Sequence, residues 1–389
     1  MRPSLTRLLA LALAITPALH AQFSSGSTGS DGALSYTTAG TTYTFDPVAL
    51  GLNPAGDNVF NFTTITIAAN VTLLMPADVL RNRAVIWLAT GNVVIAGTLA
   101  LEGAAGTAMS ATNPGQARSP AMPGPGGYPG GVGAYLTSPA TNGSGLGGGV
   151  TTAGAGGAGG YSYTSNQLVP LVGGSGGAGG QVTTGTAGGN GGAGGGAIRI
   201  VSSTSIAVSG AINAYGGAGG GGVGAAYAGG AGSGGAIHLI APTVTNTGTL
   251  NASGGNPTGV IKVSANTANI GGAVYYNAVI GPLYNPPLPV GVSLVKVVSV
   301  NGIAAPADVT GSALLPDFTV STATAVSVNI SAQYIPVGTV VKLYLSSEQG
   351  NDSIVTCPAL AGTLASSTAT CTGATFPQGI TITDIRAIW

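Results

Sequence analysis

The sequence predicts an all-β chain: a parallel β-helix, or solenoid, carrying long Gly-rich insertions and followed by a small immunoglobulin-like β-sandwich. Three observations carry that reading. Short segments of alternating apolar and polar residues recur at matched spacing. Charge is scarce, with ten basic and ten acidic residues, while Gly alone supplies 69 of 389. The repetition and the abundance of Gly stop at a Pro-rich stretch near residue 290. Soluble domains usually carry roughly one quarter charged residues, so a chain this poor in charge is one that packs largely against itself.

Residues 1–21 read as a secretory signal peptide: Arg2 and Arg7, the apolar run from Leu8 to Ile15, then small residues ending at Ala21, with cleavage after Ala21 or Ala18. The run is too short for a membrane anchor, which needs about 20 apolar residues, and no later segment supplies a transmembrane span. Residues 22–58 are expected to lead in and to cap the solenoid, which occupies 59–281.

Internal repetition defines the solenoid. The segment beginning Arg83-Ala84-Val85-Ile86-Trp87-Leu88 reaches Gly97-Thr98-Leu99-Ala100 after fourteen residues, and Gly196-Ala197-Ile198-Arg199-Ile200-Val201 reaches Gly210-Ala211-Ile212-Asn213 after fourteen. Units starting at Gly235 and Gly259 reach Gly248 and Gly272 after thirteen. Each unit alternates as a strand buried on one face must. Stacked ~4.8 Å apart, the units would place Ile198, Ile237 and Ile261 in one interior column and Ile200, Leu239 and Val263 in the next.

Gly-rich insertions interrupt the coils at 103–196, where 33 of the residues are Gly, and at 216–235. The runs 173–180 and 188–195 follow a Gly-Gly-X triplet without the strict Gly-X-Y period of collagen. Two readings stand side by side. Such segments form flexible linkers, because little offsets their ordering entropy, or they form extended helices of polyproline II type packed where Gly leaves no side chain.

From 290 to 389 Gly falls and about seven short strands appear, punctuated by Asn301-Gly302 and Gly350-Asn351, the pattern of a sandwich. Cys357 and Cys371 are the only cysteines. In a secreted chain an even count suggests one disulfide.

Wording along Trp87 to Gly97, Leu168 to Gly177 and Gly234 to Ala241 resembles a group of glycine-rich secreted bacterial proteins, of pectin-lyase-like parallel β-helix type and without assigned activity. The resemblance covers about residues 30–280 and implies the fold. It carries no catalytic residues to transfer, although the wider superfamily includes polysaccharide lyases and hydrolases.

The residues themselves argue against those reactions. Glycoside hydrolysis needs paired carboxylates about 5 to 9 Å apart, and lyases need a base, often with carboxylate-bound calcium. Between Glu102 and Asp308 there is not one carboxylate. Glu102 and Asp78 remain on the early coils as lone acids. No Gly-Lys-Ser or Gly-Lys-Thr phosphate loop occurs, and the Gly-Gly-X runs lack the Asp of calcium-binding repeats. No catalytic, metal or cofactor site is expected, and four charges over the middle two hundred residues make no nucleic-acid patch.

One arrangement stands out. Arg199, His238 and Lys262 occupy equivalent positions between inward aliphatics, so they should project outward in one column and meet an acidic glycan. The expected function is that of a non-enzymatic secreted or cell-surface structural or adhesive protein. The alternative is a carbohydrate-binding module or divergent polysaccharide-active β-helix. Expected partners are extracellular polysaccharide or cell-envelope components, with self-association through uncovered sheet edges.

Overall fold

Strands of three to six residues cannot bury a face alone, and here they do so by stacking in register. The computed structural model describes residues 23–52, 57–109, 119–135, 138–152, 157–160, 168–182, 187–223, 228–255, 259–276, 278–288, 293–306, 317–347, 353–379 and 381–387. The expected signal peptide lies outside these residues. Six coils of three strands each build the solenoid: β1 (Leu34–Tyr36), β2 (Thr42–Thr44) and β3 (Val59–Phe62); β4 (Ile65–Ile67), β5 (Thr72–Leu74) and β6 (Val85–Ala89); β7 (Val93–Ile95), β8 (Thr98–Ala100) and β9 (Ala197–Ser202). The next three are β10 (Ser205–Val208), β11 (Ala211–Asn213) and β12 (Ala236–Ile240); β13 (Thr243–Asn246), β14 (Thr249–Asn251) and β15 (Val260–Ser264); β16 (Thr267–Ile270), β17 (Ala273–Tyr275) and β18 (Ala278–Gly281). Equivalent strands pair in parallel, giving three six-stranded sheets.

The expected columns are present. Val85, Ile198, Ile237 and Ile261 are register partners in turn, as are Phe60, Trp87, Ile200, Leu239 and Val263. All are buried, each contributing about 1.5–3 kcal/mol by leaving water. The early coils widen around Phe45, Phe60, Phe62 and Trp87, whose rings meet at 5.0 to 6.1 Å. Residues 34–44, expected to lead in and to cap, supply β1 and β2 and so belong to the first coil. Three-residue strands are too short for the alternation to register in sequence. Five steps of about 4.8 Å place the first and last coils roughly 24 Å apart, so the stack is a compact body and not a stalk.

Both Gly-rich insertions leave at the same corner of successive coils, between β8 and β9 and between β11 and β12. The ladder continues into them with a changed step. The amide of Leu101 donates to the carbonyl of Asn213 at 2.7 Å, then Gly103 to Tyr215 at 2.9 Å, Gly106 to Ala218 at 2.7 Å and Met109 to Gly221 at 3.0 Å. A three-residue step is that of a polyproline II helix, which has no internal hydrogen bonds. Its buried amides must therefore find neighbours. Gly174, Gly177 and Gly180 donate to Gly195, Gly192 and Gly189 at 2.8 to 2.9 Å, and accept on another side from Tyr128, Gly131 and Ala134 at 2.8 to 3.0 Å.

Glycine is demanded here by space. A Cβ on Gly194 would lie 1.8 Å from the Gly174 carbonyl oxygen, and one on Gly179 would lie 1.9 Å from that of Val132. The third residue of each triplet is also buried: Ser175, Ala178, Asn190 and Ala193. Asn190 crosslinks the lattice, accepting from the Gly133 amide at 2.8 Å and donating to the Ser119 carbonyl at 3.1 Å. Of the two sequence readings, packed extended helices are what the described residues form.

The C-terminal unit is antiparallel. β19 (Leu294–Val300), β20 (Ile303–Ala304), β21 (Val326–Gln333), β24 (Ala361–Gly362) and β25 (Ser367–Ala374) make a sheet in the order β20-β19-β21-β25-β24. Against it lies a second sheet, β23 (Ser353–Ala359), β22 (Val340–Ser347) and β26 (Thr381–Ala387), in that order. The alternation Val326, Val328, Ile330, Ala332 on β21 buries one face against Val341, Leu343 and Leu345 of β22. Cys357 on β23 and Cys371 on β25 form the expected disulfide, and it joins the two sheets.

Candidate functional site

Arg199, His238 and Lys262 do stand in one column: His238 is the register partner of both Arg199 and Lys262 across β9, β12 and β15. Strand alternation sends them away from the aliphatic core, because Ile198, Ile200 and their equivalents point inward. The column is nevertheless not open to solvent. Arg199 is 2% exposed, His238 0% and Lys262 7%. Leu168 and Leu171 lie over Ala197, Ala236 and Val260 on one side, and Phe23, Leu171 and Leu283 lie over Leu88, Val201 and Ile240 on the other. An open strip for an acidic glycan is therefore not what these residues form. Periodicity shows which side of a strand faces the core, and is silent on a segment some thirty residues upstream that folds back over the other side. The signal that could have revealed the cover is the apolar stretch Leu168-Val169-Pro170-Leu171 inside an otherwise Gly-rich insertion.

Burial sets the electrostatics. The Arg199 Nη2 donates to the Leu168 carbonyl at 3.3 Å, and His238 Nε2 shares a hydrogen bond with Ser264 Oγ at 3.1 Å. Arg199 Nε and Nη1 and His238 Nδ1 have no hydrogen-bond partner among the described residues. Burial, and then the charges of Arg199 and Lys262, push the His238 pKa down to about 3, so its imidazole is neutral at physiological pH. Burial likewise pushes Arg199 and Lys262 downward, the latter also through Arg199.

Glu102 and Asp78, the acids singled out in sequence, sit apart in role. Glu102 follows β8 at the mouth of the first insertion, where Asn213 and Tyr215 hydrogen-bond its side chain. Burial raises its pKa, and the backbone and side-chain hydrogen bonds oppose the rise. Asp78 accepts from the Val79 amide at 2.9 Å and lines a cleft from which Glu102 is absent. Among the described residues, no three His, Cys, Asp or Glu side chains cluster as metal ligands, and no helix is long and apolar enough to cross a membrane.

That cleft, of about 1340 Å3, runs between the turn after β5, the glycine lattice and the sandwich. Arg81, Arg83, Lys296 and Arg386 line it together with Asp78, Asp317, Phe318 and Tyr344. The Arg386 guanidinium lies 4.2 Å from the centre of the Tyr344 ring and donates to Ser144 of the lattice. Sequence reasoning missed this constellation because its members come from three parts of the chain with no shared motif. No protein-family model, no curated protein and no solved structure matches the chain.

Proposed function

We propose that the chain is a non-enzymatic, secreted or cell-surface structural or adhesive protein, of the glycine-rich β-helix kind it resembles. The observation that carries this reading is the fate of the insertions. Segments inserted into a rigid scaffold are where binding and catalytic residues usually collect. Here they form a backbone-to-backbone lattice in a stretch without a carboxylate. The disulfide between Cys357 and Cys371 fits an oxidising compartment. Cell fractionation with surface immunolabelling tests the location, and incubation with acidic polysaccharides tests the chemistry. The reading expects surface or medium localisation without chain cleavage. Turnover that disappears in Glu102→Gln or Asp78→Asn would overturn it.

A second reading, glycan binding, is favoured by the cleft, whose cations and aromatic rings suit an acidic sugar chain. A glycan array with wild type and with Tyr344→Ala and Arg81→Ser tests it. Retention of an acidic glycan should fall roughly tenfold or more in the variants.

A further inference from the structure

Within the column, Arg199 carries its charge in a closed place. A guanidinium cannot shed its proton at any physiological pH. Removing it from water without a partner costs several kcal/mol. Arg199 is 2% exposed, and two of its three nitrogens have no hydrogen-bond partner among the described residues. Its neighbour in register, His238, is fully buried and also has an unpartnered ring nitrogen, Nδ1. No carboxylate occurs between Glu102 and Asp308. The hydrocarbon of Leu168, Leu171 and Leu283 packs on the aliphatic side chains that flank the column.

We propose that the Arg199–His238 step binds a small, weakly hydrated monovalent anion, of the size and charge of a halide, as a structural counter-ion. Charge and size both follow from the surroundings. With His238 neutral, the guanidinium of Arg199 is the charge left with unpartnered donors, so one negative charge balances it. The ligand gives up its water under an apolar cover, and that loss rises with the square of the charge, which disfavours sulfate or phosphate dianions. Donors are at hand. With the Ser264 hydroxyl donating to Nε2, Nδ1 carries the imidazole proton and points a donor at the anion together with the Arg199 N–H groups.

The test uses the purified full chain in chloride, bromide or sulfate, at constant ionic strength set with gluconate. The thermal midpoint should rise saturably with chloride or bromide, by roughly 2 °C or more. Sulfate should not reproduce the rise. Arg199→Met should lose the halide response, while Lys342→Met, changed on the exposed face of β22, should keep it. A midpoint indifferent to halide, or a response surviving in Arg199→Met, overturns the proposal. Should Arg199→Met fail to fold, bromide-soaked crystals of the unaltered protein decide. An anomalous peak between the Arg199 guanidinium and His238 supports the site, and bromide found only elsewhere overturns it.

Discussion

The solenoid and the glycine lattice grow from the same coils and solve opposite packing problems. In the solenoid, side chains fill the interior: Ile198, Ile237 and Ile261 are stacked, buried aliphatics, and stability comes from apolar area withdrawn from water. In the lattice, backbones touch. The Gly174, Gly177 and Gly180 carbonyls accept from one neighbour while their amides donate to another, and almost no side chain intervenes. One region therefore stores its stability in methyl groups and the other in their absence. The two respond to opposite changes, and deleting a methyl in the first resembles adding one in the second.

The largest effect is expected from that addition. In Gly194→Ala the new methyl would stand 1.8 Å from the Gly174 carbonyl oxygen, which is backbone held by its own hydrogen bonds. Overpacking costs about 1–3 kcal/mol where side chains can move aside. With backbone on every side the cost should exceed about 3 kcal/mol, or the lattice should open. Hydrogen exchange on the wild type should show slow Gly177 and Gly192 amides, and on the variant fast exchange across the lattice with the Ile237 amide still protected. Equal loss in both regions would show that they are one cooperative unit.

The sandwich sharpens the comparison by adding a region braced covalently. Replacing Cys357 and Cys371 by Ala removes a crosslink spanning 14 residues of sequence, worth about 3 kcal/mol in the chain-entropy view. Denaturant unfolding followed at Trp87, which sits in the solenoid core, should be unchanged, while exchange protection in β21 falls.

How far sequence reasoning reached follows from which contacts are local. The aliphatic columns were legible because a period of two residues and a repeat of thirteen or fourteen fix register without knowledge of partners. The triplets at 173–180 and 188–195 showed that a three-residue helix was open to the chain. They could not show which runs become neighbours, since every Gly-Gly-X run offers the same donors and acceptors. Arg199, His238 and Lys262 were correctly placed in one column. Their burial was illegible because Leu168 and Leu171 reach them from the insertion, and the cleft was illegible because Arg81, Ser144 and Arg386 meet only in three dimensions.

The column offers a third test, in pH, because its histidine is buried among charges. His238 has its pKa lowered in the folded chain to about 3, against about 6.5 unfolded. The folded state thus binds fewer protons than the unfolded one below pH 6.5, and stability present above that pH is lost as pH falls toward 3. Between pH 7 and pH 5 the loss should be about 2 kcal/mol in halide-free buffer. The groups facing His238 are Arg199, Lys262 and Ser264. His238→Gln should flatten the profile. A flat profile in the wild type would mean that the imidazole is better solvated than its burial implies.

The smallest effects decide whether the contrast lies in the packing or in the residue type. Ile237→Val removes one methylene from a filled column and should cost about 0.5–1.5 kcal/mol. Gly221→Ala adds a carbon within the lattice, but at its margin, where the new methyl would come no closer than 4.0 Å to the Ala108 side chain. That is ordinary contact. The substitution should be neutral within about 0.5 kcal/mol, or slightly stabilising because Ala has less backbone freedom to lose on folding. Urea midpoints of the two variants, read beside Gly194→Ala, separate two ideas. If Gly221→Ala is as damaging as Gly194→Ala, glycine is needed throughout for its backbone freedom. If it is neutral, glycine is needed only where one backbone lies against another, and the lattice is held to its sequence by the same steric logic that holds Ile237 in its column.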